Sequence, residues 1–535
     1  MKLRLALLVA VLGGLSCSAT ENGSVALIWN QGDPDPFTEA DAAAPATIVL
    51  SAISVQSADG GSSDDAAIAL AQSAYQAGGT LTIPAQDGFD VDILQAALFD
   101  SAQNEIIFGR TIPVQLGGIQ NTTLDIFVQR TGQFARLPQA LATTPLSPLA
   151  VTLENEYILI ADGSGLSNAT GDSVYDMNAW AFIQSPIPLP CAPLSIAPLG
   201  GSLVLVICAP MTGTVASCSG DGVTACAFDA SGIVTTTAAT LGGASSVCGW
   251  ADLAGGATVL GTNGDAFIVG GTRSSSPSDC VLEVGQAGTL ADGGFVPGLL
   301  TVGTFNAKRQ GAAAAWSATR GLVIAGGNQS AKDPPVEYLG VGAGADGGTF
   351  VSTALSGYVT GDLAQGSGGA IHDADDTLVL AGGTLPDKTV AGVRVFDLKG
   401  CSQDCDPEPE SDAGTREGGM DAGADADEDA GVDAGADADE EAGAMASVDL
   451  GGAQGFAMTA STALFVGPAG ARPGGETRAF LVSTSGTSVT GVKAVPLQVN
   501  SRKGTTAIRS PVASVVVIGG ATTMESFVPQ PDKTP

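Results

Sequence analysis

Apolar and polar positions along this chain repeat one phrase, a short apolar run closing on paired glycines. It occurs as Asp265–Gly271, Gly321–Gly327, Thr377–Gly383 and Ser514–Gly520. The runs are rich in β-branched residues and bounded by Gly, Asp or Asn, which reads as strand and not helix. The glycine pairs are Gly270-Gly271, Gly326-Gly327, Gly382-Gly383 and Gly519-Gly520, and the first three lie 56 residues apart. A fixed period of this size marks a stacked or circular array in which no unit can bury its apolar face alone.

Weaker relatives keep the apolar run but lose one or both glycines: Asn104–Arg110, Tyr157–Gly163, Leu203–Ala209 and Thr462–Pro468. Successive copies are offset by 46 to 62 residues, except for one offset of 85 that spans an acidic stretch. A second apolar element follows each run, among them Leu124–Val128, Ser173–Trp180, Cys226–Gly232, Val336–Leu339, Val393–Leu398 and Glu525–Val528. Each unit therefore offers at least two antiparallel strands joined by a polar, glycine-bearing turn. A further strand precedes the pair, as in Gly311–Trp316 after Arg309 or Thr505–Ile508 after Arg502.

This order resembles the kelch repeat, a four-stranded blade of a β-propeller. That family shows a basic residue before the first strand, paired glycines closing the second, and a Tyr-then-Trp pair further on. Arg309, Gly326-Gly327 and Tyr338 follow that order, and Tyr175 and Trp180 match the aromatic pair in an earlier copy. In most copies Phe, Leu or nothing replaces the aromatics. The resemblance covers roughly 100–400 and 447–535. It implies an all-β, kelch-like β-propeller of seven or eight blades, with blades over 101–401 and 447–535. Glycine suits such a unit because it tolerates the φ > 0 turn and permits close approach near a crowded axis. Residues 24–100 are less regular: Ser24–Trp29 or Thr47–Val55 would supply a ring-closing strand, and Ala66–Ala77 reads as a helix or as a degenerate blade.

Between two repeats lies 402–446, where Asp-Ala-Gly recurs at Asp412, Asp421, Asp429 and Asp433. Asp404–Glu441 holds sixteen acids against one base, Arg416. A stretch so acidic and so poor in large apolar side chains is expected to be a disordered insertion. The whole chain carries −34, a surface that repels nucleic acid and anionic headgroups. Asp425, Asp427, Asp429 and Asp433 imitate the start of a calcium loop, but the glycine comes one place late and Ala436 stands where the bidentate acid belongs. No specific metal site is expected.

The N-terminus reads as an export signal over 1–16: Lys2 and Arg4, an apolar Leu5–Leu12, then Gly14-Leu15-Ser16 before Cys17. It resembles the lipobox of bacterial lipoproteins, with Gly14 where the box has Leu. The resemblance implies lipidation at Cys17, a tether over 17–23, and a place in the cell envelope, at the outer membrane, with periplasmic or secreted forms as the alternative. Eight further cysteines fit an oxidising compartment and favour disulfides over metal, since there is no CxxC pair. Short loops single out Cys218–Cys226 and Cys401–Cys405 as pairs.

Candidate chemistry is sparse. His372 is the only histidine, and no motif supplies it with a nucleophile, so it reads as a surface-turn residue. Copper oxidases on kelch-type propellers bind their metal through more than one imidazole, so the resemblance implies a propeller without the copper site and no cofactor. No Walker loop, Gly-x-Ser-x-Gly elbow or His-Glu-x-x-His is present. The reading is a non-enzymatic platform for a protein or glycan, held to the membrane through its lipid alone, with no nucleic-acid partner. The alternatives are an extracellular lyase or glycosidase using propeller-face carboxylates, or a structural surface spacer.

Overall fold

A strand covered on both faces needs apolar residues at successive positions, and the repeated runs meet that need. In Gly321–Ala325, Leu322 and Ile324 face one neighbouring sheet while Val323 and Ala325 face the other, and all four are at most 1 % exposed. The computed structural model of the chain describes residues 23–38, 43–54, 68–84, 91–119, 121–154, 156–163, 173–183, 189, 191–210, 223–229, 248–261, 265–270, 277–285, 288–289, 295–296, 300–340, 352–401, 448–470 and 475–531. The expected signal, Cys17 and the 402–446 insertion lie outside them. The fold is all-β, with a single α-helical turn at Trp250–Leu253 and a 3-10 turn at Leu116–Gly118 among the described residues.

Seven radial sheets form a β-propeller. Their first strands are Pro148–Leu153, Pro193–Gly200, Ala257–Leu260, Ala313–Ser317, Gly368–His372, Gln454–Ala457 and Thr506–Arg509, for blades 1 to 7. These strands touch one another in that order and the last touches the first, so they surround the axis. Blades 2 and 5 hold three strands among the described residues and the others four. Each pair of neighbouring blades shares one apolar cluster, and the seven clusters complete the circle. At about 1.5–3 kcal/mol for each large apolar side chain buried, these shared walls dominate the stability of the ring.

Ring closure differs from expectation. The outer strand of blade 7 is Phe134–Ala140, which pairs antiparallel with Thr523–Phe527. Neither Ser24–Trp29 nor Thr47–Val55 takes that place. They belong to a separate sheet built from β1 (Gly23–Gln31), β2 (Thr47–Ser54), β3 (Ile68–Ala74), β4 (Thr80–Ile83), β5 (Val91–Phe99), β6 (Glu105–Gln115) and β7 (Thr122–Arg130). Its order is β3-β2-β5-β6-β7-β1-β4, with β1 and β7 parallel. The end strands β3 and β4 touch, enclosing a core of its own that includes Val25, Leu50, Leu94, Leu98, Ile107 and Ile126. The runs Asn104–Arg110 and Leu124–Val128 therefore lie in β6 and β7 and not in a blade, so the first blade starts at Pro148 and not near 101. Ala66–Ala77 is neither helix nor blade: its described part contains strand β3.

The N-terminal sheet sits on the propeller side where first strands turn into second strands. There Ile112 of β6 and Phe127 of β7 join the cluster shared by blades 7 and 1. Phe127 and Trp180 rings lie 4.8 Å apart. Gln129 donates to the Ser526 carbonyl at 3.1 Å, and Asp33 pairs with Arg136 at 2.7 Å. No helix among the described residues is long and apolar enough to cross a membrane.

Candidate functional site

The paired glycines sit where the second strand of a blade ends, on the side away from the N-terminal sheet. Gly326, Gly327, Gly382, Gly383, Gly519 and Gly520 all have positive φ, as does Gly270, while Gly271 lies outside the described residues. At Gly327 the reason is twofold: φ is +66°, and an added Cβ would lie 2.5 Å from the Gln310 carbonyl oxygen.

An arginine fastens each of two such corners. Arg309 donates through Nη1 to the Gly326 carbonyl at 2.9 Å and through Nη2 to Glu337 Oε1 at 2.8 Å. Arg502 repeats this in blade 7, with Nη1 to the Gly519 carbonyl at 2.7 Å and Nη2 to Glu525 Oε1 at 2.8 Å. In both, the arginine precedes its glycine by 17 residues. The acids also accept backbone N–H bonds, Glu337 from Asn306 and Ala307, Glu525 from Gln498 and Val499. Burial pushes the Glu337 carboxyl up, but the Ser352 hydroxyl, the Arg309 charge and the Asn306 amide outweigh it and hold the group below its ordinary value. These acids, each a single carboxylate within a third strand, went unmarked in the sequence.

Blade 5 inverts the pair. Arg394 stands opposite Leu380, the register that Glu337 occupies opposite Ile324. From there it reaches Gly382 O at 3.1 Å, Ser367 Oγ at 2.6 Å and Asp362 Oδ2 at 2.9 Å. In blade 2 a disulfide does the same work: Cys191–Cys208 also spans 17 residues. Cys248–Cys280 ties the corresponding region of blade 3. Neither pair was expected from loop length. Cys226 and Cys401 are disulfide-bonded as well, and their expected partners Cys218 and Cys405 lie outside the described residues. The sulfurs of Cys191, Cys208 and Cys226 gather within 4.8 Å, yet all three are oxidised and offer no thiolate to a metal.

On the opposite, turn-bearing side, His372 ends the first strand of blade 5. It is buried, not in a surface turn, and its Nδ1 lies 3.1 Å from Thr484 Oγ1 of blade 6. The following turn clamps blade 4: Asp373 accepts from Ser317 Oγ at 3.1 Å, and Asp376 receives both Nε and Nη2 of Arg320.

The axis mouth on this side is different in character. Arg509 ends the first strand of blade 7 and donates through Nη2 to the Ala457 carbonyl, the end of the first strand of blade 6. Its own carbonyl accepts from Thr152 Oγ1 of blade 1 at 3.0 Å. Arg509 is exposed at this mouth. Arg110 of β6 approaches from the N-terminal sheet, with burial, then the Arg509 charge, pushing it down. No carboxylate among the described residues pairs with either guanidinium. Further along the same sheet, Glu105 is pushed up to about 7 by burial. Glu105 was not singled out by sequence, because its environment arises from packing within the N-terminal sheet.

No protein-family model matches this chain, and no curated protein matches it. Among solved structures, the polysaccharide lyase Uly1 is similar at 10% identity and a TM-score of 0.36, over 74% of this chain and 92% of that one. Hadza microbial sialidase Hz136 is similar at 9% identity and 0.29, over 91% and 90%. An auxiliary nutrient binding protein from Bacteroides ovatus is similar at 9% identity and 0.25, over 71% and 85%. Likenesses at this level carry no argument about activity.

Proposed function

We propose that the chain is a non-enzymatic, kelch-like propeller lipoprotein of the bacterial cell envelope that captures a protein or glycan on its turn-bearing face. What supports a binding role is the commitment of the acids in the blades. Glu337, Glu525, Asp362, Asp373 and Asp376 each accept from an arginine, a hydroxyl or backbone amides. Carboxylates so engaged hold loops in place and are poorly suited to shuttle protons. Disulfides in the propeller fit an oxidising compartment, and the Cys17 lipobox supplies the anchor.

The test is fractionation of cells expressing the chain with and without Cys17→Ser. The reading expects native chain in the membrane fraction and variant in the soluble fraction; unchanged partitioning removes the anchor. Purified protein incubated with envelope polysaccharides is expected to show no turnover, and any turnover above background overturns the binder.

A further inference from the structure

We propose that Cys191, Cys208 and Cys226 of blade 2 form a thiol–disulfide exchange relay, which answers a dithiol reductant by moving the corner bond from Cys191–Cys208 to Cys208–Cys226. Cys191 stands just before the first strand of the blade, Cys208 ends the second, and Cys226 lies in the third, Thr224–Asp229. The register sets Cys208 opposite Thr224 and Val206 opposite Cys226, so Cys208 and Cys226 are diagonal neighbours on one face. Their sulfurs lie 3.6 Å apart, although each is already bonded to a different cysteine, Cys208 to Cys191. Two disulfides therefore touch inside one apolar cluster. Of the three cysteines only Cys191 retains any exposure, at 9 %. No other three cysteines gather in this way among the described residues.

Exchange proceeds by attack of a thiolate on a disulfide sulfur. The first thiolate of the dithiol bonds to Cys191 Sγ as the Cys191–Cys208 bond breaks, and the electron pair leaves on Cys208. Cys208 Sγ then bonds to Cys226 Sγ as the existing bond of Cys226 breaks, and the former partner of Cys226 leaves as a thiolate. The second thiolate of the dithiol displaces Cys191 and closes the reductant into its own disulfide. Its two protons end on Cys191 and on the displaced thiol, so two electrons enter and two protein disulfides become one. The middle step needs no encounter, because its two sulfurs are already in contact, and such placement favours it over escape of the reductant. The fastening of the blade changes as a result. Cys191–Cys208 ties the entry of the first strand to the end of the second, as Arg309 and Arg502 do in blades 4 and 7. Cys208–Cys226 ties second strand to third and frees that entry. The inference goes beyond the binding platform and does not rest on it.

The experiment exposes the purified, folded chain to limiting dithiothreitol, quenches samples with acid at intervals, alkylates free thiols and maps the peptides by mass spectrometry without further reduction. Pepsin is the protease, because no Lys or Arg stands between Cys191 and Cys226 and acid halts exchange. The relay predicts that a Cys208–Cys226 link appears in step with alkylated Cys191 and accounts for the majority of opened corners, while circular dichroism stays native. Cys248–Cys280, with no third sulfur gathered beside it among the described residues, is the internal control and should open to two alkylated cysteines. In Cys226→Ser the corner should behave like that control, with Cys191 and Cys208 alkylated together. The same pattern in the native chain overturns the relay. So does a corner that stays closed while Cys248–Cys280 opens, or a Cys208–Cys226 link that forms only after urea has unfolded the chain. If Cys226→Ser does not fold, the time course of the native chain decides alone. Neither result bears on the envelope platform, which the fractionation of Cys17→Ser tests separately.

Discussion

Arg502 and Glu525 meet at 2.8 Å with both side chains withdrawn entirely from solvent. The pair joins the segment before the first strand of blade 7 to its third strand, while the same arginine holds the Gly519 carbonyl of the second. One guanidinium thereby fixes the register of three strands. Removing one partner strands a buried charge, a loss of about 3–5 kcal/mol, whereas replacing both with apolar residues of similar size is far less costly. Urea unfolding of Arg502→Met, Glu525→Leu and the double variant should show two severe single losses and a milder double. Additive losses would mean that the two residues do not act as a pair.

Glu105 sets a pH dependence of opposite sign to ordinary acid denaturation. Burial raises its folded pKa from 4.5 to about 7. Folding therefore favours the protonated carboxyl, and its contribution is complete below the unfolded pKa and is lost as pH rises towards the folded one. The span corresponds to roughly 3 kcal/mol at most, at 1.36 kcal/mol per unit. Stability of Glu105→Gln measured from pH 4 to 8 should lack this decline and exceed the native chain above pH 7. Parallel curves for the two proteins would show that Glu105 is not desolvated.

The propeller was legible because its second strands are buried on both faces and so spell unbroken apolar runs such as Leu322–Ala325 before a positive-φ glycine. The same logic misled at Glu105–Arg110, a strand with a similar run in the N-terminal sheet. Strand character is local, but sheet membership is decided by what packs on its faces. The ring-closing Phe134–Ala140 contains Pro138, a residue that speaks against a central strand and is tolerated here because the strand lies at the blade edge. Arg309 and Arg502 stood out as basic residues before a first strand. Their acids did not, and blade 5 exchanges the two roles, so no single pattern describes every corner.

The disulfides and the arginines act at equivalent corners, so their removal should have comparable cost. Cys191–Cys208 closes a loop of 17 residues, for which chain entropy gives about 3 kcal/mol. Guanidinium unfolding of Cys191→Ser/Cys208→Ser is expected to lose about that much. A double variant as stable as the native chain would show that apolar packing between blades 1 and 2 holds the corner without the bond.

Positive φ alone and positive φ with close approach can be separated by two substitutions. Gly486 has φ of +57° and nothing within 4 Å of an added Cβ. Gly486→Ala should therefore cost only the left-handed penalty, about 1–2 kcal/mol. Gly327 has nearly the same φ, +66°, but its Cβ would meet Gln310 O at 2.5 Å and Ala312 N at 3.1 Å. That backbone cannot retreat freely, because the Gly327 carbonyl accepts from Gln310 N at 2.9 Å and Gly327 N donates to Ala364 O of the next blade at 2.8 Å. Gly327→Ala should exceed Gly486→Ala by more than 1 kcal/mol and should loosen blade 4 against blade 5, raising amide exchange at Gly327 and Gln310. Equal costs for the two substitutions would show that the paired glycines serve the turn alone and that the corner has room for a side chain.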